Sequence, residues 1–244
     1  MTFGGICYES DVNATVAIAR DIDLAGARLT PDPSGALWWG EERLLIAADL
    51  HLEKGSAYAA RGQMLPPYDT HATLTRLEDA CARLKPREVV LLGDTFHDRK
   101  AEERLADDAR MRLTRLIDAV ENWTWILGNH DPAPPQGLGG RVAEEIYLGP
   151  LVLRHEPQAR PSAGEIAGHL HPAARVSVRG RSIRRRCFVT DGERLVMPAF
   201  GAYAGGLDVF DPALRNLFAP QFHAFMLGKA AVHAVSSQRL AARG

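Results

Sequence analysis

The chain is poor in cysteine, carries no surplus charge of either sign and has no long apolar run. Cys7, Cys81 and Cys187 are its only cysteines. An odd number without a C-x-x-C pair argues against a disulfide framework or a cysteine-type zinc site, and fits a reducing cytoplasm. Lys and Arg total 29 against 30 Asp and Glu, a formal net charge of -1. Contact with nucleic acid would therefore need a local basic patch rather than bulk charge. No uncharged apolar run approaches the ~18 residues of a membrane-spanning helix, and the opening MTFGGICYESDVN lacks the basic and apolar regions of a secretory leader. HExxH, GxSxG and nucleotide-cradling glycine motifs are missing too, which argues against a zincin, a serine hydrolase and a P-loop enzyme. What is present is an ordinary globular make-up of 244 residues, 46% hydrophobic and 24% charged. We expect one domain over residues 1–244, with 1–20 as a loosely held arm.

Short apolar runs read as buried strands, and each stops at a polar cluster. Arg43–Ala48 precedes DLH, Glu88–Leu92 precedes GDTFHD, Trp123–Leu127 precedes GNHD, Leu151–Leu153 precedes RHEP, and Ile166-Ala167 precedes GHLHP. Helical spacing of Ala72, Leu74, Leu77, Ala80, Cys81 and Leu84, and of Leu105, Ala109, Leu113, Leu116, Ile117 and Val120, fills the gaps between the first three. This order predicts parallel crossovers. Arg175–Val178, Arg186–Val189 and Arg194–Met197 read as further strands with a turn at Asp191-Gly192, as do Asp21–Leu29 and Ala36–Trp39 near the start. The expected class is α/β, two sheets packed together with helices outside. Trp123 and Trp125 are expected in the core, and His71, His223 and His233 are expected to be structural, the last two in a C-terminal tail.

The polar clusters carry Asp49-x-His51, Gly93-Asp94, Gly128-Asn129-His130-Asp131, His155 and Gly168-His169-x-His171. In open α/β sheets the ligand site lies beyond the carboxyl ends of the strands, so these clusters should meet. Mixed imidazole and carboxylate donors suit manganese, iron or zinc better than magnesium or calcium. Strand alternation would send both members of Asp49-x-His51 and of His169-x-His171 to one face. A carboxylate such as Asp94 can bridge two cations, between which water becomes a nucleophile near neutral pH.

D-x-H, GD, GNHD, a lone His and GH-x-H together resemble the signature of the calcineurin-like metallophosphoesterase superfamily, over roughly residues 44 to 172. AADLHLEKGSAYAARG, LPPYDT, GDTFHD, LGNHDP, RHEP, GHLHP and PAFGAYAGGLDVF resemble, more narrowly, the bacterial ligase-associated DNA damage response endonucleases of PdeM type. The resemblance implies a four-layer αββα sandwich and two divalent cations, manganese foremost. It implies that Asp49, His51 and His171 hold one cation and that Asn129, His155 and His169 hold the other, with Asp94 bridging. Arg154 stands before His155, where many superfamily members have a glycine. His130 resembles the catalytic acid, with Asp131 orienting its ring, and His97 resembles a second phosphate-facing histidine of nucleic-acid-cutting members. The implied activity is hydrolysis of DNA, single-stranded or damaged, by a metal-bridging hydroxide, in repair beside a ligase and a helicase. A phosphomonoesterase, a small-molecule or cyclic-nucleotide phosphodiesterase and an inactive binding module stay open as rivals. So does the oligomeric state, a homodimer included.

Arg175, Arg179, Arg181, Arg184, Arg185 and Arg186 form the densest basic run. It reads either as a phosphate clamp, with Arg184, Arg185 and Arg186 as candidates, or as a solvated hairpin face. Arg99 and Lys100, just after GDTFHD, are alternative phosphate contacts.

Overall fold

The computed structural model describes residues 17–18, 21–63, 65–66, 68–133, 135–159 and 162–241. Its first half runs β1 (Ala17–Ile18), β2 (Ile22–Leu24), β3 (Ala27–Pro31), β4 (Leu37–Trp39), β5 (Leu44–Ala47), α1 (Lys54–Ala59), α2 (Asp69–Leu84), β6 (Glu88–Leu92), α3 (Ala101–Arg104), α4 (Asp107–Asp118) and β7 (Asn122–Ile126). There follow β8 (Arg141–Ala143), β9 (Glu145–Leu148), β10 (Leu151–Arg154), β11 (Glu165–Ala167), β12 (Pro172–Val178), β13 (Arg181–Thr190), β14 (Arg194–Val196), β15 (Leu207–Asp208), α5 (Pro212–Arg215), β16 (His223–Leu227) and β17 (Val232–Ser236). Among the described residues no helix is long and apolar enough to cross a membrane.

Two mixed sheets result. One has the order β2-β3-β4-β5-β6-β7-β8, antiparallel up to β5 and parallel beyond it, with Leu45 beside Val89 and Val89 beside Trp123. The other has the order β1-β17-β16-β13-β14-β11-β10-β9, with β12 and β15 as an offshoot of β13. Its parallel core is β10, β11 and β14.

Strand alternation sorts the apolar side chains into layers. Leu44, Ile46, Val90, Leu92 and Ile126 of the first sheet meet Leu153, Ile166, Phe188, Leu195 and Phe225 of the second. The opposite face of the first sheet, with Leu45, Ala47, Val89, Leu91, Trp123 and Trp125, is covered by Leu74, Leu77, Leu113 and Leu116 of α2 and α4. The helical cover is uneven. The outer face of the second sheet packs on Val176, Val209, Leu214, Phe218 and Phe222, from β12, α5 and the loops beside it, and α5 has only four residues.

Two expectations differ from the structure, and a third falls mostly outside the described residues. Asp21–Leu29 is two strands, because Ala25 (φ 51°) and Gly26 (φ 86°) turn the chain left-handed between them. His223 and His233 lie in paired strands rather than a tail, with His223 opposite Ser236 and Met226 opposite His233. Of the expected arm, residues 1–16, 19 and 20 lie outside the described residues, while Ala17 and Ile18 pair with β17.

One charged cluster is buried between strands. Glu165 on β11 and Arg194 on β14 are fully buried, their Oε2 and Nε 3.4 Å apart. Arg154 on β10 lies 3.7 Å from the other carboxylate oxygen and 2.9 Å from Glu145. Removing Glu165 strands Arg194 without counter-charge in low dielectric, while Arg154 keeps Glu145. Glu165→Ala should therefore cost about 3 kcal/mol of stability, read as a lower urea midpoint at unchanged slope. A negligible shift would mean that water reaches the arginines.

Candidate metal centre

The parallel strands β5, β6, β7, β10 and β11 all end at one rim, and the predicted donors follow them there. Their delivery differs from the expected strand alternation. β5 stops at Ala47, and Asp49 (φ 55°) and His51 (φ 45°) are left-handed residues beyond it. β11 stops at Ala167, and His169 (φ 66°) and His171 (φ 47°) repeat the pattern, as does Asp94 (φ 48°) after β6. Such backbone costs on the order of 1 kcal/mol per residue and persists where neighbours over-determine it. Here the neighbours are each other. The 49–52 and 93–96 loops pair through His51 N–H to the Asp94 carbonyl (2.9 Å) and Leu52 N–H to the Thr95 carbonyl (2.8 Å). The His169 N–H donates to Asp49 Oδ2 (2.9 Å), and the His130 N–H donates to Asp94 Oδ1 (2.9 Å).

The donors gather into two adjacent nests. In the first are Asp49, His51 and His171, and in the second Asp94, His155 and His169, the candidate atoms of each within 4.8 Å of one another. His171 Nε2 lies 3.2 Å from both His51 Nε2 and Asp49 Oδ1. His155 Nε2 lies 2.9 Å from Asn129 Oδ1, 3.2 Å from His169 Nδ1 and 3.5 Å from Asp94 Oδ2. The structure thus brings all seven predicted ligand residues together.

The donor chemistry fits cations. The other His155 nitrogen, Nδ1, donates to the Leu92 carbonyl at 2.8 Å, so in the neutral ring Nε2 is a lone pair facing an amide oxygen and a second imidazole. Acceptors do not face acceptors at such distances without a positive centre between them. Ligands bound at ~2.1 Å to one ion stand roughly 3.0–3.4 Å apart, the spacing of the two Nε2 atoms of His51 and His171. Burial pushes His51 down to about 3, with the charge of His171 adding to it. Burial works against charge on Asp94, yet His155 beside it holds the carboxyl down to about 2. Burial likewise opposes a proton on His155, but Asp94 and Asp49 pull that ring up to about 9. Asp94 and Asp49 both bear on His155, and a cation held there would take the place of that proton.

Two glycines of the motifs are required by close approach. A Cβ on Gly93 (φ 71°) would strike the His155 ring, and one on Gly128 would strike the Asp94 backbone and carboxylate. Gly93→Ala should lose roughly half of the bound metal by displacing His155 and spare the other nest, as metal analysis after gel filtration would show. Full retention would mean that His155 is not a ligand.

Around the nests the remaining candidates separate. His130 is half-exposed and its Nδ1 donates to the His97 carbonyl (2.8 Å), with Nε2 3.9 Å from Asp94 Oδ2. Asp131, expected to orient that ring, instead accepts backbone N–H groups of Asp94 (3.0 Å), Phe96 (3.1 Å) and Gly128 (3.2 Å). It braces the loops, and a main-chain carbonyl does the orienting. His97 stacks on His130 with centroids 5.8 Å apart. Arg186 is not free for phosphate. It donates to the carbonyls of Ala199 (2.6 Å) and Gly201 (2.8 Å), and burial, with Arg76 nearby, pushes it down to about 10. Arg184 donates to the Gly206 carbonyl and Arg185 to the Arg184 carbonyl (2.9 Å); both are exposed on the hairpin. Arg99 and Lys100 are exposed beside His97. Sequence reasoning missed Tyr58, whose ring stacks on His97 at 6.1 Å, and the Leu92 and His97 carbonyls, which leave no mark in a motif.

The sequence matches the calcineurin-like phosphoesterase family over residues 42–192. Among solved structures it is similar to the Pseudomonas putida nuclease MPE, with a TM-score of 0.66 at 30% identity over 87% of this chain and 98% of that one. The E. coli phosphoesterase YfcE gives a TM-score of 0.41 at 16% identity over 78% of this chain and 95% of that one. No curated protein matches.

Proposed function

The chain belongs to the calcineurin-like phosphoesterase family, as a metal-dependent phosphoesterase, and we propose that it hydrolyses the backbone of single-stranded DNA with manganese. The carrying observation is the pair of abutting donor nests, Asp49, His51 and His171 in one and Asp94, His155 and His169 in the other. Similarity to a nuclease over 87% of the chain supports the choice of substrate. Asp49, His51 and His171 would hold one cation, and Asn129 (through its amide oxygen), His155 and His169 the other, with Asp94 shared. Bound there, two cations acidify water to a nucleophile near neutral pH and neutralise charge on the phosphate oxygens.

The chain's own groups do the rest. His130, fixed by the His97 carbonyl, presents Nε2 at the open mouth and donates a proton to the departing sugar oxygen. His97 holds a non-bridging phosphate oxygen, a contact that a diester needs once it lacks the second charge of a monoester. Work in DNA repair, beside a ligase and a helicase in the cytoplasm, completes the proposal from the motif resemblance. A complete donor set with His130 in place argues against an inactive binding module.

Manganese-dependent digestion of end-labelled and circular single-stranded DNA, beside nitrophenyl phosphate mono- and diesters, is the test. We expect both DNAs to be cut and the diester to be preferred to the monoester. Circular DNA surviving intact overturns endonuclease action, and a preferred monoester overturns the diesterase.

A further inference from the structure

We propose that α1 and the loop after His97 form the track for an unpaired polynucleotide strand, with a base stacked on Tyr58 and phosphates held by Lys54, Arg61, Arg99 and Lys100. This rests on the nucleic-acid reading above and assigns the path that the strand takes to the metals. Three rings step inward toward the nests. Tyr58 lies over His97 at 6.1 Å and 27°, and His97 lies over His130 at 5.8 Å and 19°. Beyond His97 on the outer side, a groove of about 380 Å³ runs between α1 and residues 98–104, with Arg61, Arg99 and Lys100 in its walls. Its one acid, Asp98, is already neutralised by Arg104 at 2.9 Å. Among the described residues, Lys54, Arg61, Arg99 and Lys100 enter no salt bridge and so remain free to meet phosphate.

Lys54 and Tyr58 stand one turn apart on one face of α1, and Arg61 follows just past its end. The groove has a fixed width. Gly55 N–H donates to Asp69 Oδ2 (3.0 Å), which ties α1 to α2, and Arg104 Nε donates to Ser56 Oγ (3.0 Å), which ties α1 to α3. Cations flanking an aromatic step are the arrangement that holds single strands, and a duplex, whose base faces are already stacked, cannot use it. Of the hairpin arginines, Arg184 and Arg186 compete poorly for this role because main-chain carbonyls engage them.

The test compares the wild type with Tyr58→Ala, Tyr58→Phe and a triple Arg61→Ala, Arg99→Ala, Lys100→Ala variant, with manganese present. Each is assayed on a single-stranded DNA oligonucleotide and on a bis-nitrophenyl phosphate diester. Tyr58→Ala should lower the ratio of kcat/KM on the oligonucleotide to that on the small diester about tenfold, mostly through KM, and Tyr58→Phe should restore it. The triple variant should flatten the log-log salt dependence on the oligonucleotide by about 0.7 per lost phosphate contact between ~50 and 200 mM salt. Unchanged ratio and salt slope overturn the track and leave the nuclease reading standing. Equal loss on both substrates in Tyr58→Ala makes Tyr58 a mere support for His97 and also overturns it. A wild type that turns over only the small diester overturns the nuclease reading, and the track with it.

Discussion

Asp94→Ala is expected to abolish hydrolysis and to leave the purified protein with little transition metal. The side chain is almost fully buried and serves three groups at once. Its Oδ2 lies 3.5 Å from His155 Nε2 and 3.9 Å from His130 Nε2, and its Oδ1 accepts the His130 N–H. Alanine removes the charge that His155 depends on, leaving only Asp49 at 3.8 Å, and releases the loop that carries Asn129. The second nest loses its carboxylate. Asp94→Asn keeps the bond from the His130 N–H and the volume but not the charge, so it separates a folding defect from a metal defect. We expect Asn to restore stability but little metal, measured by elemental analysis after gel filtration. Turnover above roughly a hundredth of wild type in Asp94→Ala would remove Asp94 from the centre, because a shared ligand contributes more than that to a two-cation site.

The rim and its donors were legible because each donor follows an apolar strand, and parallel strands pool their carboxyl ends. Asp94 and His155 are 61 positions apart, yet the reading that places both after buried strands also places them together. The conformation of the donors was not legible. D-x-H reads as alternation, whereas Asp49 and His51 are both left-handed, held by main-chain bonds to a loop forty residues away. Nothing in a motif encodes a carbonyl partner: the motif offers Asp131 as the support for His130, and the His97 carbonyl fills that position. Charge is equally silent about its counterpart. Arg186 sits in a basic run but spends its guanidinium on Ala199 and Gly201. Arg154, at a position where glycine is common, completes the buried Glu165 cluster one residue before a candidate ligand. The β16–β17 hairpin escaped notice because His223 and His233 interrupt its apolar runs, although Gly228-Lys229 marks the turn.

His130→Ala should retain both cations and lose roughly 10²- to 10⁴-fold in kcat on DNA, the range removed with a general acid. The ring belongs to neither donor nest. Its Nδ1 is committed to the His97 carbonyl, and Nε2 stops 3.9 Å from Asp94 at a half-exposed position. A substrate can occupy that opening. The contribution of an acid depends on the leaving group. An alkoxide expelled from a sugar needs a proton in the transition state, whereas nitrophenolate leaves unaided, so the loss on a nitrophenyl diester should be far smaller than on DNA. The contrast between the two substrates isolates proton donation from every positional effect of the ring, including its stacking on His97. Equal losses on the two substrates would make His130 a binding or packing residue, and loss of metal on substitution would make it a ligand.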